Sequence, residues 1–366
     1  MEITVIVGTR PEAIKMSPVV HALRAREGVS VRVLLSGQHR ELAEDALREF
    51  GIVPDANLAL MREGQTLFDT TQGILCRLPP LLTGARPQAV LVHGDTTTAF
   101  AAALACFYLG ISVGHVEAGL RTYCHTRPYP EEFNRRAIAA LAEWHFAPTA
   151  RARENLLREG VGRKKIFVVG NTVVDALRLT VRADYRHPAL CAGERRIFFT
   201  AHRREMREDE LRGILHALRC LVAANPDVSV LYPVHPRVKD LAHRELGGVP
   251  RICLLPPLCT VDCHNLMARS YLIATDSGGI QEEACALGIP TLVLRSETER
   301  PEGVEGGVLR LVGTEGESFF RHASELLASS RAYAAMRCGK NPYGDGTAAE
   351  QIADALCCAG LQEQGA

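Results

Sequence analysis

Short apolar runs alternate with longer amphipathic stretches from one end of this chain to the other, and few folds accommodate that pattern. The runs fall at residues 3–7, 31–35, 89–93, 113–116 and 166–169, then at 197–200, 228–232, 252–255, 272–275 and 291–294. Most are nearly continuous in apolar residues, so a strand made from one is buried on both faces, as in a parallel sheet covered by helices on each side. Stretches such as 41–50, 211–223 and 280–287 carry their apolar residues at helical spacing. The periodicity breaks at 183–194, where Asp184, Arg186, His187, Pro188 and Gly193 interrupt it. A chain of 366 residues exceeds one small core. The pattern therefore predicts an α/β protein of two doubly wound domains, 1–183 and 184–346. Ligands of such folds sit outside the carboxyl ends of the strands.

The 42 basic and 42 acidic side chains cancel, so no broad field draws nucleic acid or an anionic membrane, and any bound anion needs a local cluster of cations. No apolar run reaches the roughly 18 residues that span a bilayer. The first residues form a short strand with an acidic Glu2, unlike a signal peptide, so a cytoplasmic, reducing location is expected. The twelve cysteines then read as thiols. Cys259, Cys263 and His264 come nearest to a metal pattern but lack a second ligand pair, and no metal is expected. Cys106, Cys220 and Cys285 sit in apolar runs as small hydrophobes.

The residues after the strands carry the chemistry. Gly8-Thr9-Arg10-Pro11-Glu12 follows the first run, with Pro11 suited to a first helical turn. Arg10 and Lys15 there fit an anionic ligand, or else are two solvated cations on an ordinary turn. Asp276-Ser277-Gly278-Gly279 opens a helix whose exposed N–H groups suit a phosphate, with Glu283 in reach of ribose hydroxyls; a plain Ser/Gly cap is the alternative. Asp95 and Glu117 follow strands, and Glu131 starts a helix after Pro128 and Pro130. Asp95 as a helix cap and Glu131 as a dipole partner remain open readings. His93, His115, His202 and His235 fall at similar strand ends, and His202-Arg203-Arg204 adds cations. Together these describe a cleft for acid–base chemistry on a phosphorylated or nucleotide-linked substrate, without naming the sugar or the reaction.

Read in order, the strings have a closer likeness. Gly8-Thr9-Arg10-Pro11-Glu12-Ala13-Ile14-Lys15, His93-Gly94-Asp95-Thr96-Thr97-Thr98 and Gly114-His115-Val116-Glu117-Ala118-Gly119-Leu120-Arg121 resemble the non-hydrolysing UDP-N-acetylglucosamine 2-epimerases. So do Pro130-Glu131-Glu132, Gly170-Asn171-Thr172, Asp276-Ser277-Gly278-Gly279-Ile280-Gln281-Glu282-Glu283, Thr298-Glu299-Arg300-Pro301-Glu302 and Asn341-Pro342-Tyr343-Gly344-Asp345-Gly346. The resemblance implies two Rossmann-like domains facing across a cleft, a GT-B-like architecture, with a last helix within 347–366 packing back on the first domain. It implies a cytoplasmic homodimer in polysaccharide synthesis that uses neither nicotinamide nor any other cofactor. Its substrate partners would be UDP-N-acetylglucosamine and UDP. The family mechanism eliminates UDP to give 2-acetamidoglucal and adds it back to the opposite face. By similarity, Arg10, Lys15, His202, Ser277, Gly278, Gly279, Glu283 and Arg300 hold nucleotide and diphosphate, while Asp95, Glu117 and Glu131 handle protons and sugar hydroxyls. His202 counts with both sets, and Leu258 and Cys263 lie at the uracil.

The chain departs from the family at Cys263, where relatives commonly carry phenylalanine, and in shorter segments after His202-Arg203-Arg204-Glu205 and after His235. Gln38, His39, Gln65 and His235 match positions that bind a second, activating substrate molecule in some relatives. Gly64 stands where those relatives have arginine, which counts against such activation. A hydrolysing 2-epimerase, releasing N-acetylmannosamine and UDP, and a GT-B glycosyltransferase are the competing activities. A catalytically silent nucleotide-binding module is the third alternative.

Overall fold

A computed structural model of the chain describes residues 1–37, 42–62, 64–126, 128–190, 195–203 and 206–363. Among these residues it contains two parallel sheets. The first comprises β1 (Glu2–Val7), β2 (Ser30–Leu35), β3 (Ala56–Asn57), β4 (Ala89–His93), β5 (Ser112–Val116), β6 (Trp144–Ala147) and β7 (Ile166–Val168). They lie in the order β3-β2-β1-β4-β5-β6-β7. The second comprises β8 (Arg195–Thr200), β9 (Val228–Pro233), β10 (Ile252–Leu255), β11 (Leu272–Thr275), β12 (Thr291–Val293) and β13 (Leu309–Leu311), in the order β10-β9-β8-β11-β12-β13. The α/β architecture read from the apolar runs is the one observed.

The sheets are parallel because helices return the chain between strands, and both faces of each sheet are covered. In β1 the side chains of Ile3, Val5 and Val7 pack with Met16, Val19 and Leu23 of the helix Arg10–Arg24. Ile6 packs on the other face with Leu34, Val90, Ile74, Leu78 and Leu82. Burying each such side chain contributes roughly 1.5–3 kcal/mol. In the second sheet Phe199, Tyr232 and Phe319 occupy one face, and Phe198, Leu231 and Ile273 the other.

The chain divides into two compact units, Met1–Leu179 with Gly344–Ala366, and Thr180–Tyr343. Residues 180–182 already belong to the second unit because Thr180 Oγ1 lies 2.7 Å from His264 Nδ1 and the Arg182 amide donates to Asn265 at 2.9 Å. Of the interrupted stretch 183–194, residues 191–194 lie outside the described ones. The terminal helix Ala348–Glu363 lays Ala349, Ile352, Ala353 and Leu356 into the core that contains Met16 and Val20. Asp175 accepts the Ala349 amide at 2.9 Å near its start.

Strand order reverses once in each sheet, between β1 and β4 and between β8 and β11. Such switch points open a crevice beyond the carboxyl ends of the strands. The residues after β1, β4 and β5, and after β8 and β11, therefore stand where each unit is able to hold a ligand. Among the described residues no helix is long and apolar enough to cross a membrane.

Candidate functional site

At the edge of the first sheet, the turn after β1 is held by Glu12. Thr9 caps the helix Arg10–Arg24 in a capping box with Glu12. The Glu12 carboxylate accepts the amides of Gly8 at 2.7 Å and Thr9 at 2.6 Å, and also the hydroxyl of Thr96 at 2.6 Å. Burial pushes this carboxyl up to about 7, although each hydrogen bond opposes the rise. Gly8 is required here because a Cβ would stand 2.5 Å from Thr98 Oγ1. Arg10 is the first residue of the helix, and Lys15 lies one turn further in.

Lys15 is not a solvated cation. Its ammonium is buried and ion-paired with Glu117, the residue that follows β5. Glu117 also accepts from Asn171 Nδ2 at 2.9 Å, and His93 Nε2 stands 3.7 Å away. Burial pushes His93 down to about 4, in spite of the neighbouring carboxylate, so it is neutral at pH 7. Glu117 has φ of 64°, a left-handed conformation that strains a residue with a Cβ. His115 is pushed down to about 3 by burial and donates from Nε2 to the Gly94 carbonyl at 2.7 Å, which makes it a brace beneath the loop after β4.

Asp95 does not cap the helix that follows it. Thr96 takes that position, its hydroxyl accepting the Ala99 amide at 3.0 Å, because the helix begins at Thr97. The Asp95 carboxylate instead pairs with Arg135, and its carbonyl accepts from Asn134 at 2.9 Å. Both partners belong to the helix Glu131–Leu141, whose first residue is Glu131. Glu132, fully buried, receives the amides of Thr122 and Tyr123 at 3.0 and 2.9 Å and so ties down the loop after β5.

The edge of the second sheet is organised by Asp276. Its carboxylate, fully buried, accepts the amides of His202 at 2.6 Å and Arg203 at 2.7 Å. The His202 ring stacks on His235 at 5.0 Å between centroids. Ser277 precedes the helix Gly278–Leu287 without a side-chain cap, which leaves the N–H groups of its first turn for a ligand or water. The guanidinium of Arg300 lies against Gly278, where a Cβ would meet Nη1 at 2.6 Å. Arg300 is pinned by Glu282 at 2.8 Å and Glu299 at 2.7 Å. Burial opposes the charge on Glu299, but Arg300, Arg295 and Arg203 outweigh it and hold the carboxyl down at about 2. Glu283 is buried with its carboxylate 3.5 Å from His264 Nε2. Leu258 and Cys263 pack against Phe198, Leu266 and Ile273.

The expected site residues thus fall into two groups. Arg10, Lys15, Asp95, Glu117 and Glu131 belong to the first unit, with Lys15 and Glu117 in direct contact. His202, Leu258, Cys263, Ser277, Gly278, Gly279, Glu283 and Arg300 belong to the second, with Arg300 against Gly278. Cys259, Cys263 and His264 turn to different surroundings: Cys259 caps a helix, Cys263 packs in the apolar cluster and His264 meets Thr180. Gln38, His39 and Arg204 lie outside the described residues. Glu12, Arg135, Asn171 and Asp276 had no role assigned from sequence. The spacing Thr9-x-x-Glu12 is a capping-box signal that would have found the first.

A family model described as UDP-N-acetylglucosamine 2-epimerase matches residues 21–357. The UDP-N-acetylglucosamine 2-epimerase of Bacillus subtilis is 47% identical over 360 residues, covering 97% of this chain and 95% of its own. Among solved structures, the UDP-GlcNAc 2-epimerase of Neisseria meningitidis bound to UDP-GlcNAc is 40% identical, with a TM-score of 0.90 over 98% of this chain and 100% of that one. The S. aureus protein MnaA, solved with UDP, is 43% identical, with a TM-score of 0.90 over 98% and 96% of the two chains. Similarity of this extent, over nearly the whole length and in the same fold, means that the chain belongs to the UDP-N-acetylglucosamine 2-epimerase family.

Proposed function

We propose that this chain interconverts UDP-N-acetylglucosamine and UDP-N-acetylmannosamine without hydrolysing either. The observation that carries the proposal is Glu117, a carboxylate only 9% exposed, in strained backbone among Lys15, His93 and Asn171, on the same sheet edge as Asp95. Inverting C-2 means breaking a weakly acidic C–H bond with no adjacent carbonyl to hold the charge. Coupling that step to departure of UDP solves the problem. The C-2 hydrogen leaves as a proton to a side-chain base, its electron pair becomes the C-1–C-2 double bond, and the C-1–oxygen pair departs with UDP. Re-addition reverses each change, with the proton delivered to the opposite face of C-2. Acid–base groups that serve both faces are therefore required, and Asp95, Glu117 and Glu131 take that work with His202.

UDP is assigned to Arg10, Lys15, His202, Ser277, Gly278, Gly279, Glu283 and Arg300. The uncapped helix start beside a pinned arginine supports this assignment for the diphosphate. Leu258 and Cys263 are assigned to the uracil. The test is incubation with UDP-N-acetylglucosamine alone, without acceptor or added cofactor. The expected result is UDP-N-acetylmannosamine in a fixed ratio to substrate, reached equally from either sugar. Steady accumulation of UDP and free N-acetylmannosamine would overturn the non-hydrolysing assignment.

A further inference from the structure

We propose that Glu12 is a positioning residue of this reaction, tying the loop after β1 to the loop after β4 and thereby fixing where Asp95 stands; the proposal rests on the epimerase reading above. A capping-box glutamate needs only one oxygen for its own helix, and the bond to the Thr9 amide satisfies that requirement. Glu12 does more. Its second oxygen takes the hydroxyl of Thr96, 84 residues away and adjacent to Asp95 in sequence. It is also only 3% exposed. The ladder between β1 and β4 has its last registered pair at Val5 and Leu91, before the sheet edge is reached. The Glu12–Thr96 bond spans the switch point beyond it.

Thr96 transmits the constraint. Its hydroxyl oxygen accepts the Ala99 amide at 3.0 Å while its hydrogen goes to Glu12, so both functions of the hydroxyl are committed and the rotamer is fixed. The peptide joining Asp95 to Thr96 is held with it. From the other side, Asn134 takes the Asp95 carbonyl and Arg135 its carboxylate. Asp95 is thus clamped by two elements, and Glu12 anchors one of them. Keeping a carboxyl buried where its pKa rises to about 7 is a desolvation cost that the helix cap alone does not require.

The experiment is a double-mutant cycle with Glu12→Gln, Thr96→Val and the double variant, together with Thr96→Ser, which restores the hydroxyl. Turnover of UDP-N-acetylglucosamine gives kcat and KM, calorimetry gives UDP affinity, and thermal unfolding monitors the caps. Misplacement of a reacting group by about 1 Å costs on the order of 10²-fold, so each single variant is expected to lose about 10- to 100-fold in kcat. KM and UDP affinity should stay within about threefold. The double variant should be no slower than the slower single one, because both changes cut the same link. Thr96→Ser should recover most of the rate. Losses that multiply, losses confined to KM, or unchanged kcat in folded variants overturn the proposal while the wild type still epimerises. A wild type that does not epimerise the sugar overturns the functional reading itself.

Discussion

At the edge of the first sheet Lys15 and Glu117 pair almost out of solvent, whereas at the edge of the second the side chains of Arg203 and His202 are partly open to it. Lys15 and Glu117 have side chains 8% and 9% exposed, and His93 beside them is neutral. Arg203 and His202 are 31% and 37% exposed, and the deeper Arg300 lies against the start of a helix. A buried carboxylate in a low-dielectric setting responds to small changes around it, which suits proton transfer. The Arg300 guanidinium beside uncapped N–H groups suits a diphosphate, the group that the proposed reaction would hold and later return to the sugar. The two edges share a topology and differ in side chains, so the proposed division of labour would lie in the loops.

The comparison breaks first at Glu117. Glu117→Gln removes one of the carboxylates proposed for acid–base work and leaves the Lys15 ammonium buried without its partner. Turnover should fall by about 10²–10⁴-fold, while UDP affinity changes only a few-fold. A loss of UDP binding as large as the loss in rate would contradict the division between the edges.

Acid provides the second test. Burial lowers His93 to about 4, His115 to about 3 and His145 to about 4, so each stays neutral in the folded chain while its unfolded counterpart protonates below the ordinary value of 6.5. Their stabilisation is complete above pH 6.5 and is lost as pH falls towards 4. Glu12, raised to about 7, acts in the opposite direction, since the folded chain holds its proton more tightly between pH 7 and 4.5. Each group shifts stability by about 2 kcal/mol between pH 7 and 5, and three histidines outweigh one glutamate. Urea unfolding at the two pH values should show a net loss of a few kcal/mol on acidification. No loss would mean that the first edge is wetter than its geometry indicates.

A smaller effect is expected at the second edge. Gly278→Ala sets a methyl group where Arg300 Nη1 lies, and Glu282 and Glu299 resist its displacement. Losing one charge-assisted contact is worth about 1.5–3 kcal/mol, so UDP affinity should drop about 10- to 100-fold. The smallest effect is at Cys263, where Cys263→Phe should tighten UDP binding about two- to tenfold by offering an aromatic face. Weaker binding in calorimetry would mean that Leu258 and its neighbours have already filled the space.

Much of the fold was legible because ten apolar runs are long enough to declare themselves. β3 escaped notice because two residues at a sheet edge carry no period. β13 escaped because Leu309-Arg310-Leu311 is short and centred on an arginine, and β6 because Trp144-His145-Phe146-Ala147 follows a helix without a turn residue. In the site, the strand-end positions of Asp95 and Glu117 were readable from spacing. Their partners were not: Arg135 reaches Asp95 from a helix 40 residues on, and Asn171 reaches Glu117 from 54 residues on. Only the folded sheet brings those distances together. Asp276 is similar, since its role is to hold two backbone amides that follow another strand.

The central claim, that a C-2 proton passes through carboxylates at the first edge, is tested most directly by turnover of UDP-N-acetylglucosamine in deuterated water. A proton handed to a side chain exchanges with solvent before it returns. The account predicts that UDP-N-acetylmannosamine carries deuterium at C-2. Product that retains the original hydrogen at C-2 throughout would contradict it.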